Sequence, residues 1–125
     1  MGSFNLFKHA TDYQTFKAGT LILQEQERYG EEMYIVKQGE VDIFLGQHLI
    51  ETIGEEEPLG EMAMIEPQGI RSATAIAKTD CQLVPINQKR FMFLVQENPY
   101  FALELMKVLV RRLRKVDEII KQTMN

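Results

Sequence analysis

The sequence predicts a mainly β domain, a sandwich or barrel, followed by a short helix and a long amphipathic one. Three observations carry this. Between about residues 16 and 86, short apolar runs alternate with turn residues at spacings near ten. Asn98-Pro99 then breaks the chain, because the residue before proline disfavours the α region. Beyond it lies a stretch without internal proline or glycine, in which Leu109, Leu113, Val116 and Ile120 recur on one helical face.

The strands follow in order. Tyr34-Ile35-Val36 ends at Gly39, Val41 to Leu45 at Gly46, and His48 to Ile53 at Gly54. Val41, Ile43 and Leu45 share a face at period two. Ser72 to Ala77 and Cys81 to Ile86 complete the β region, separated by Thr79-Asp80. Asn87 is a fitting N-cap for a helix through Phe91-Met92-Phe93-Leu94-Val95. The long helix is expected from about Tyr100 to Gln122. The Glu55-Glu56-Glu57 run reads as a solvated turn.

At 125 residues and 45% hydrophobic content, the chain suits one domain, residues 1–125, because two halves would each bury too little surface. The β body takes about residues 16–86 and the C-terminal helices about 88–122. A net charge of −4 and a pI of about 5.2 argue against nucleic acid as a partner, since phosphates need a basic face. The single cysteine, Cys81, forms no internal disulfide and no zinc site. His9 and His48 lack partners at metal-ligand spacing. No apolar run approaches the ~18 residues that would span a membrane. Met1-Gly2-Ser3-Phe4 does not start a signal peptide, and Leu6 breaks the myristoylation pattern. The expected setting is cytoplasmic, with no membrane partner.

The segment from Gly54 to Ala77 carries the chemistry. Gly60 permits a tight turn or close approach to a ligand. Glu61-Met62-Ala63-Met64 can form one helical turn, whose N–H groups suit an anion. Pro67 and Gly69 make a loop. Arg71 follows among apolar neighbours, where an unpaired guanidinium is costly and a phosphate fits its planar fork. Ser72 and Ala73 leave room for a ligand, and Ser72 offers a hydroxyl. From residue types alone, an Arg71–Glu61 pair that only stabilises the fold is an equally good reading.

Gly60-Glu61-Met62-Ala63-Met64, a short loop, and Arg71-Ser72-Ala73-Thr74 closely resemble the phosphate-binding cassette of cyclic-nucleotide-binding domains, in the form of a catabolite-activator-like sensor. The resemblance extends to Phe16-Lys17-Ala18-Gly19, to Met33 through Val41, and without a gap from Gly60 to Arg111-Arg112-Leu113. It implies an eight-stranded antiparallel jelly-roll barrel with flanking helices. It also implies that Arg71 binds the phosphate oxygens and that Glu61 accepts from the ribose 2′-hydroxyl. Backbone N–H groups around Met62 and Ala63 would cap the phosphate, Ser72 would add a hydroxyl, and Arg112 would close over the glutamate. The ligand implied is a cyclic nucleotide, cyclic AMP favoured over cyclic GMP, with no other cofactor. Several positions depart from the family pattern. Glu25-Gln26 stands where a glycine is usual, Glu56-Glu57 replaces Gly-Asp, and Ile70 replaces a proline. Val116 and Asp117 stand where the catabolite activator has threonine and serine, which leaves base choice open. Asp117 is either an acceptor for an exocyclic amine or a solvated helix residue.

In transcription factors of this family a helix-turn-helix domain follows the long helix, and none is expected in a chain that stops at Asn125. The Arg111-Arg112-Leu113-Arg114-Lys115 cluster reads as part of a lid or dimer helix with a solvated face. The helical stripe suits a homodimer, or packs on its own β body. The reading that follows is a sensor whose last helix acts on an effector protein. The alternative is an interaction or scaffold module that keeps the fold without binding nucleotide, and a fragment of a larger regulator stands beside both. With no nucleophile–base pair or metal cluster in the sequence, an enzyme is not expected.

Overall fold

The computed structural model describes residues 7–25, 32–65 and 73–124. Its elements run β1 (Gln14–Phe16), β2 (Leu21–Leu23), β3 (Glu32–Gln38), β4 (Val41–Leu45), β5 (His48–Ile53), β6 (Pro58–Leu59), α1 (Met62–Ile65), β7 (Thr74–Ala77), β8 (Cys81–Asn87), α2 (Gln88–Glu97) and α3 (Pro99–Met124). Two antiparallel sheets form, of order β1-β8-β3-β6 and β2-β7-β4-β5. The chain crosses between them at every connection except the β4–β5 hairpin. Among the described residues this is a jelly-roll-like body of eight strands, with the sheets separate rather than closed into one barrel.

The pairing of β3 with β8 is the spine of the molecule. Both strands are buried on both faces, and period two sends their side chains to different cores. Val36, Cys81 and Leu83 join Val41, Ile43, Ile53, Leu59, Ala75 and Ala77 in a cluster shared by the two sheets. Met33, Ile35, Val84 and Ile86 point the other way and pack with Phe91, Phe101, Leu105 and Val108 from α2 and α3. One strand pair therefore ties the sheet core to the helical layer.

The helix boundaries follow from local chemistry. Asn87 Oδ1 accepts from the Arg90 N–H at 2.9 Å, capping α2 as the sequence predicts. Pro99 both ends α2 and opens α3, a position where its missing N–H costs nothing. The last helix thus starts one residue earlier than expected and extends to Met124. Phe91 and Phe101 meet edge to face at 5.9 Å between centroids, fixing the α2–α3 corner.

Only the first half of α3 is buried, through Phe101, Leu105 and Val108. Leu109 and Val116 are partly buried toward the β body, while Leu113 and Ile120 are largely exposed. The stripe read from the sequence is thus split between the two sides. A second row, Leu103, Met106, Val110, Leu113, Ile120 and Met124, stands exposed. Its spacing is the three-and-four repeat of a coiled-coil seam, with Asp117 in the one polar place.

Gly39 turns β3 into β4 at φ +96°, against the β7–β8 turn. That contact is bonded by Lys78 N–H to Glu40 O at 2.9 Å and by Glu40 N–H to Thr79 Oγ1 at 3.0 Å. A Cβ on Gly39 would fall 2.5 Å from the Asp80 carbonyl oxygen, whereas Gly46, at φ +60°, faces open space. Gly39→Ala is expected to lower the unfolding free energy by about 3 kcal/mol or more, and Gly46→Ala by about 1 kcal/mol, in urea titrations followed by circular dichroism.

Candidate functional site

A cavity of about 470 Å³ lies between the β2-β7-β4-β5 sheet and α3. That volume is in the range of small-molecule sites. Its walls are apolar: Leu23, Ile43, Leu45 and Ile50 from the sheet, and Leu109, Leu113 and Val116 from α3. Gly60, Glu61, Met62, Ala73, Thr74 and Ala75 line another side, and Arg112 joins them from the helix.

Gly60 takes φ +74°, the tight turn predicted for it, and delivers the chain into α1. Within this turn Ala63 N–H donates to Gly60 O at 3.3 Å and Met64 N–H to Glu61 O at 3.0 Å. Ala63 and Met64 anchor α1 in the helical core, which holds Glu61 at the cavity wall. Ala73 and Thr74 bring the start of β7 to the same wall. Thr74 Oγ1 donates to Glu25 Oε1 at 3.0 Å, and the same oxygen accepts from Gly46 N–H at 2.9 Å. Glu25, where a glycine is usual, therefore ties the end of β2 to β7 and to the β4–β5 turn. Arg71 and Ser72 lie outside the described residues.

Glu61 is 4% exposed, and its described partner is Arg112, whose Nη1 donates to Glu61 Oε1. The sequence reading placed Arg112 over this glutamate, and the structure does so. Arg112 makes two further bonds, from Nε to Glu51 Oε2 and from Nη2 to the Pro58 carbonyl. Glu51 is itself buried, and its Oε1 accepts from Arg111 Nε at 3.2 Å. Arg111 Nη2 reaches Glu57 Oε2 at 2.9 Å. Glu57 Oε1 accepts from Gly54 N–H at 3.0 Å.

Arg111 and Arg112 both pair with carboxylates of the β body, Arg111 with its side chain still 42% exposed. One expectation is corrected: the Glu55-Glu56-Glu57 run is not wholly a solvated turn, because Glu57 pairs with α3. Glu51 was missed, although a signal was present. In β5, period two puts Glu51 on the same side as fully buried Ile53, and a carboxylate at an inward position calls for a cation. Asp117 stands exposed on α3 and does not line the cavity; its neighbour Val116 does.

Among the described residues there is no cluster of metal-binding side chains and no helix long and apolar enough to cross a membrane. Cys81 is buried, and burial, with Asp80 beside it, pushes its thiol pKa up. It is a packing residue at the Gly39 contact and not an activated nucleophile.

A jelly-roll-like body, a glycine-turned cassette and an arginine-bearing last helix around a cavity define a small-ligand-binding domain. The family model "Cyclic nucleotide-binding domain" matches residues 13–98, and the chain belongs to that family. It is 33% identical over 93 residues to the cyclic AMP receptor protein of Thermus thermophilus, a match covering 70% of this chain and 43% of that protein. The crystal structure of the Thermus thermophilus catabolite activator protein superposes with a TM-score of 0.72 at 26% identity, over 98% of this chain and 59% of that one. A structure from a cyclic-GMP-dependent signalling pathway that regulates bacterial phytopathogenesis superposes with a TM-score of 0.73 at 27% identity, over 91% and 95%. The chain spans under half the length of the curated relatives it matches.

Removing Arg112 takes from Glu61, whose side chain is 5% exposed, its described partner, and leaves Glu51, 4% exposed, with Arg111 alone. Arg112→Ala is expected to lower the unfolding free energy by about 3 kcal/mol. Asp12→Asn breaks only the exposed pair with Arg90 and is expected to change it by less than about 1 kcal/mol. Urea unfolding at neutral pH compares the two.

Proposed function

We propose that the chain is a sensor module that binds a cyclic mononucleotide in the cavity, cyclic AMP in preference to cyclic GMP, and passes the signal through α3 to a partner protein. It acts as a binding module and not as an enzyme. The observation that carries this reading is Glu61, a buried carboxylate held by Arg112 at the wall of an otherwise apolar cavity, ten residues before Arg71. An apolar cleft with a few fixed polar groups suits a base on a sugar phosphate. In this reading Arg71 takes the phosphate, with Ser72 and the backbone around Met62 and Ala63. Glu61 accepts from the ribose hydroxyl, and Ala73 leaves space beside the ring. The preference for adenine draws support from the relative that is named for cyclic AMP, while the neighbour from a cyclic-GMP-dependent pathway makes guanine the competitor to test. Asp117 lies off the cavity, so base choice is assigned to the apolar walls.

Calorimetric titration with cyclic AMP and cyclic GMP tests this. The expected result is saturable binding, tighter for cyclic AMP and at least about tenfold weaker in Arg71→Ala, as loss of a charge-assisted hydrogen bond implies. Absence of binding to either nucleotide would sink the reading and leave the scaffold module in its place.

The exposed seam of α3 supports a second element, a homodimer through that helix. Lys107, Arg114 and Lys121 flank the seam on one side at seven-residue spacing, with Leu109, Val116 and Thr123 on the other. An antiparallel helix pair would set the basic rows against each other, whereas a parallel pair sets each against the uncharged row. Size-exclusion chromatography with light scattering is expected to show a dimer, reduced to monomer by Val110→Glu. A monomeric wild type at all concentrations removes this element.

A further inference from the structure

Glu51 has no part in the ligand contacts proposed above, yet it is buried and holds both arginines of the lid helix. Each carboxylate oxygen serves one of them: Oε2 the Nε of Arg112, Oε1 the Nε of Arg111. A guanidinium is planar, so fixing two of its nitrogens fixes the third. Glu51 holds Nε of Arg112 and the Pro58 carbonyl holds Nη2. Nη1 then faces Glu61 whether or not Glu61 binds it.

We propose that Glu51 is the positioning residue of this site: it docks α3 on the β body before any ligand arrives and leaves Glu61 free to turn to a ligand hydroxyl without releasing the helix. From Glu51 on β5 the contacts run through Arg111 to Glu57 on the β5–β6 turn and through Arg112 to the Pro58 carbonyl, and no cavity contents enter them. A site built on Glu61 and Arg112 alone would pit the ligand against the lid for the same carboxylate. Glu51 removes that competition. The inference deepens the cyclic-nucleotide reading, and its docking claim is tested without ligand.

Glu51→Gln is the probe. It preserves shape, but one carboxylate oxygen becomes an N–H donor and faces a guanidinium it cannot accept from. Spin labels at Leu49→Cys on β5 and Lys121→Cys on α3, both exposed positions, report the gap between sheet and helix by pulsed electron resonance, in samples diluted with unlabelled protein. Buried Cys81 stays in place as an unlabelled residue. Without ligand, the wild-type background is expected to give one narrow distance and Glu51→Gln a broad distribution. Cyclic AMP is expected to leave the wild-type distance unchanged and to narrow that of Glu51→Gln. It would bind the variant at least about fivefold more weakly, since only the docked fraction is competent. Arg111→Ala, which leaves the Glu51–Arg112 bond, is expected to bind within about twofold of wild type, a split that general loosening of the fold would not produce.

A broad ligand-free distribution in the wild-type background overturns the proposal, and that result needs no folded variant. A Glu51→Gln distribution as narrow as wild type overturns it as well. If the wild type binds neither cyclic nucleotide, the functional reading fails, while the ligand-free distances still decide whether Glu51 docks the helix.

Discussion

Two adjacent arginines of one helix meet three carboxylates of the β body, and much else in the molecule is arranged around that meeting. Glu51 and Glu61 are both nearly excluded from solvent, a placement that is strongly unfavourable for either alone. Neither tolerates the loss of its cation, so α3 cannot leave without stranding buried charge. Because Arg111 and Arg112 are consecutive, their side chains leave the helix about 100° apart and converge on Glu51 from two directions. The attachment is therefore directional, setting the rotation of α3 about its axis as well as its distance. That rotation turns Leu109 and Val116 to the cavity and Met106 and Val110 to solvent.

The apolar layers make this arrangement possible. β3 and β8 have little polar alternation because each side of the pair faces a core, one made with the opposite sheet and one made with α2 and α3. The second core grips only the first half of the last helix, through Phe101, Leu105 and Val108. The arginine cluster begins three residues beyond Val108, where apolar burial runs out. Packing holds the first half of α3, charge holds the middle, and nothing among the described residues covers its outer face.

Much of this was legible in the sequence, and the parts that were not share a cause. β4 and β5 were read to the residue, since glycine turns bound them and the apolar residues of β4 repeat at period two. The Asn87 cap and the Pro99 break were legible because both act within a few residues. β1, β2 and β6 were not singled out, being too short to show any alternation and held only by distant partners. In the site, Gly60, Glu61 and Arg112 followed from the cassette and its resemblance. Glu51 and Glu57 did not, because their role exists only once a helix some 54 to 61 residues later folds back on them. The pairing of Arg111 with Glu51 and Glu57 was not read for the same reason: a local pattern of like charges carries no information about a carboxylate supplied by another strand. Arg71 and Ser72, the sharpest part of the sequence reading, lie outside the described residues and rest on the motif.

Leu113 belongs to two surfaces at once. It lines the cavity, yet it is 62% exposed and stands in the outer apolar row of α3. A body seated on that row and a molecule held in the cavity would thus press on opposite sides of one side chain. Thermodynamic linkage makes such an arrangement reciprocal: whatever factor the inner occupant applies to assembly on the outside, assembly applies to the inner affinity. The helix need not unfold or swing for the two to communicate. Through the packing of that one leucine, occupancy of the cavity would depend on the concentration of whatever the outer row binds.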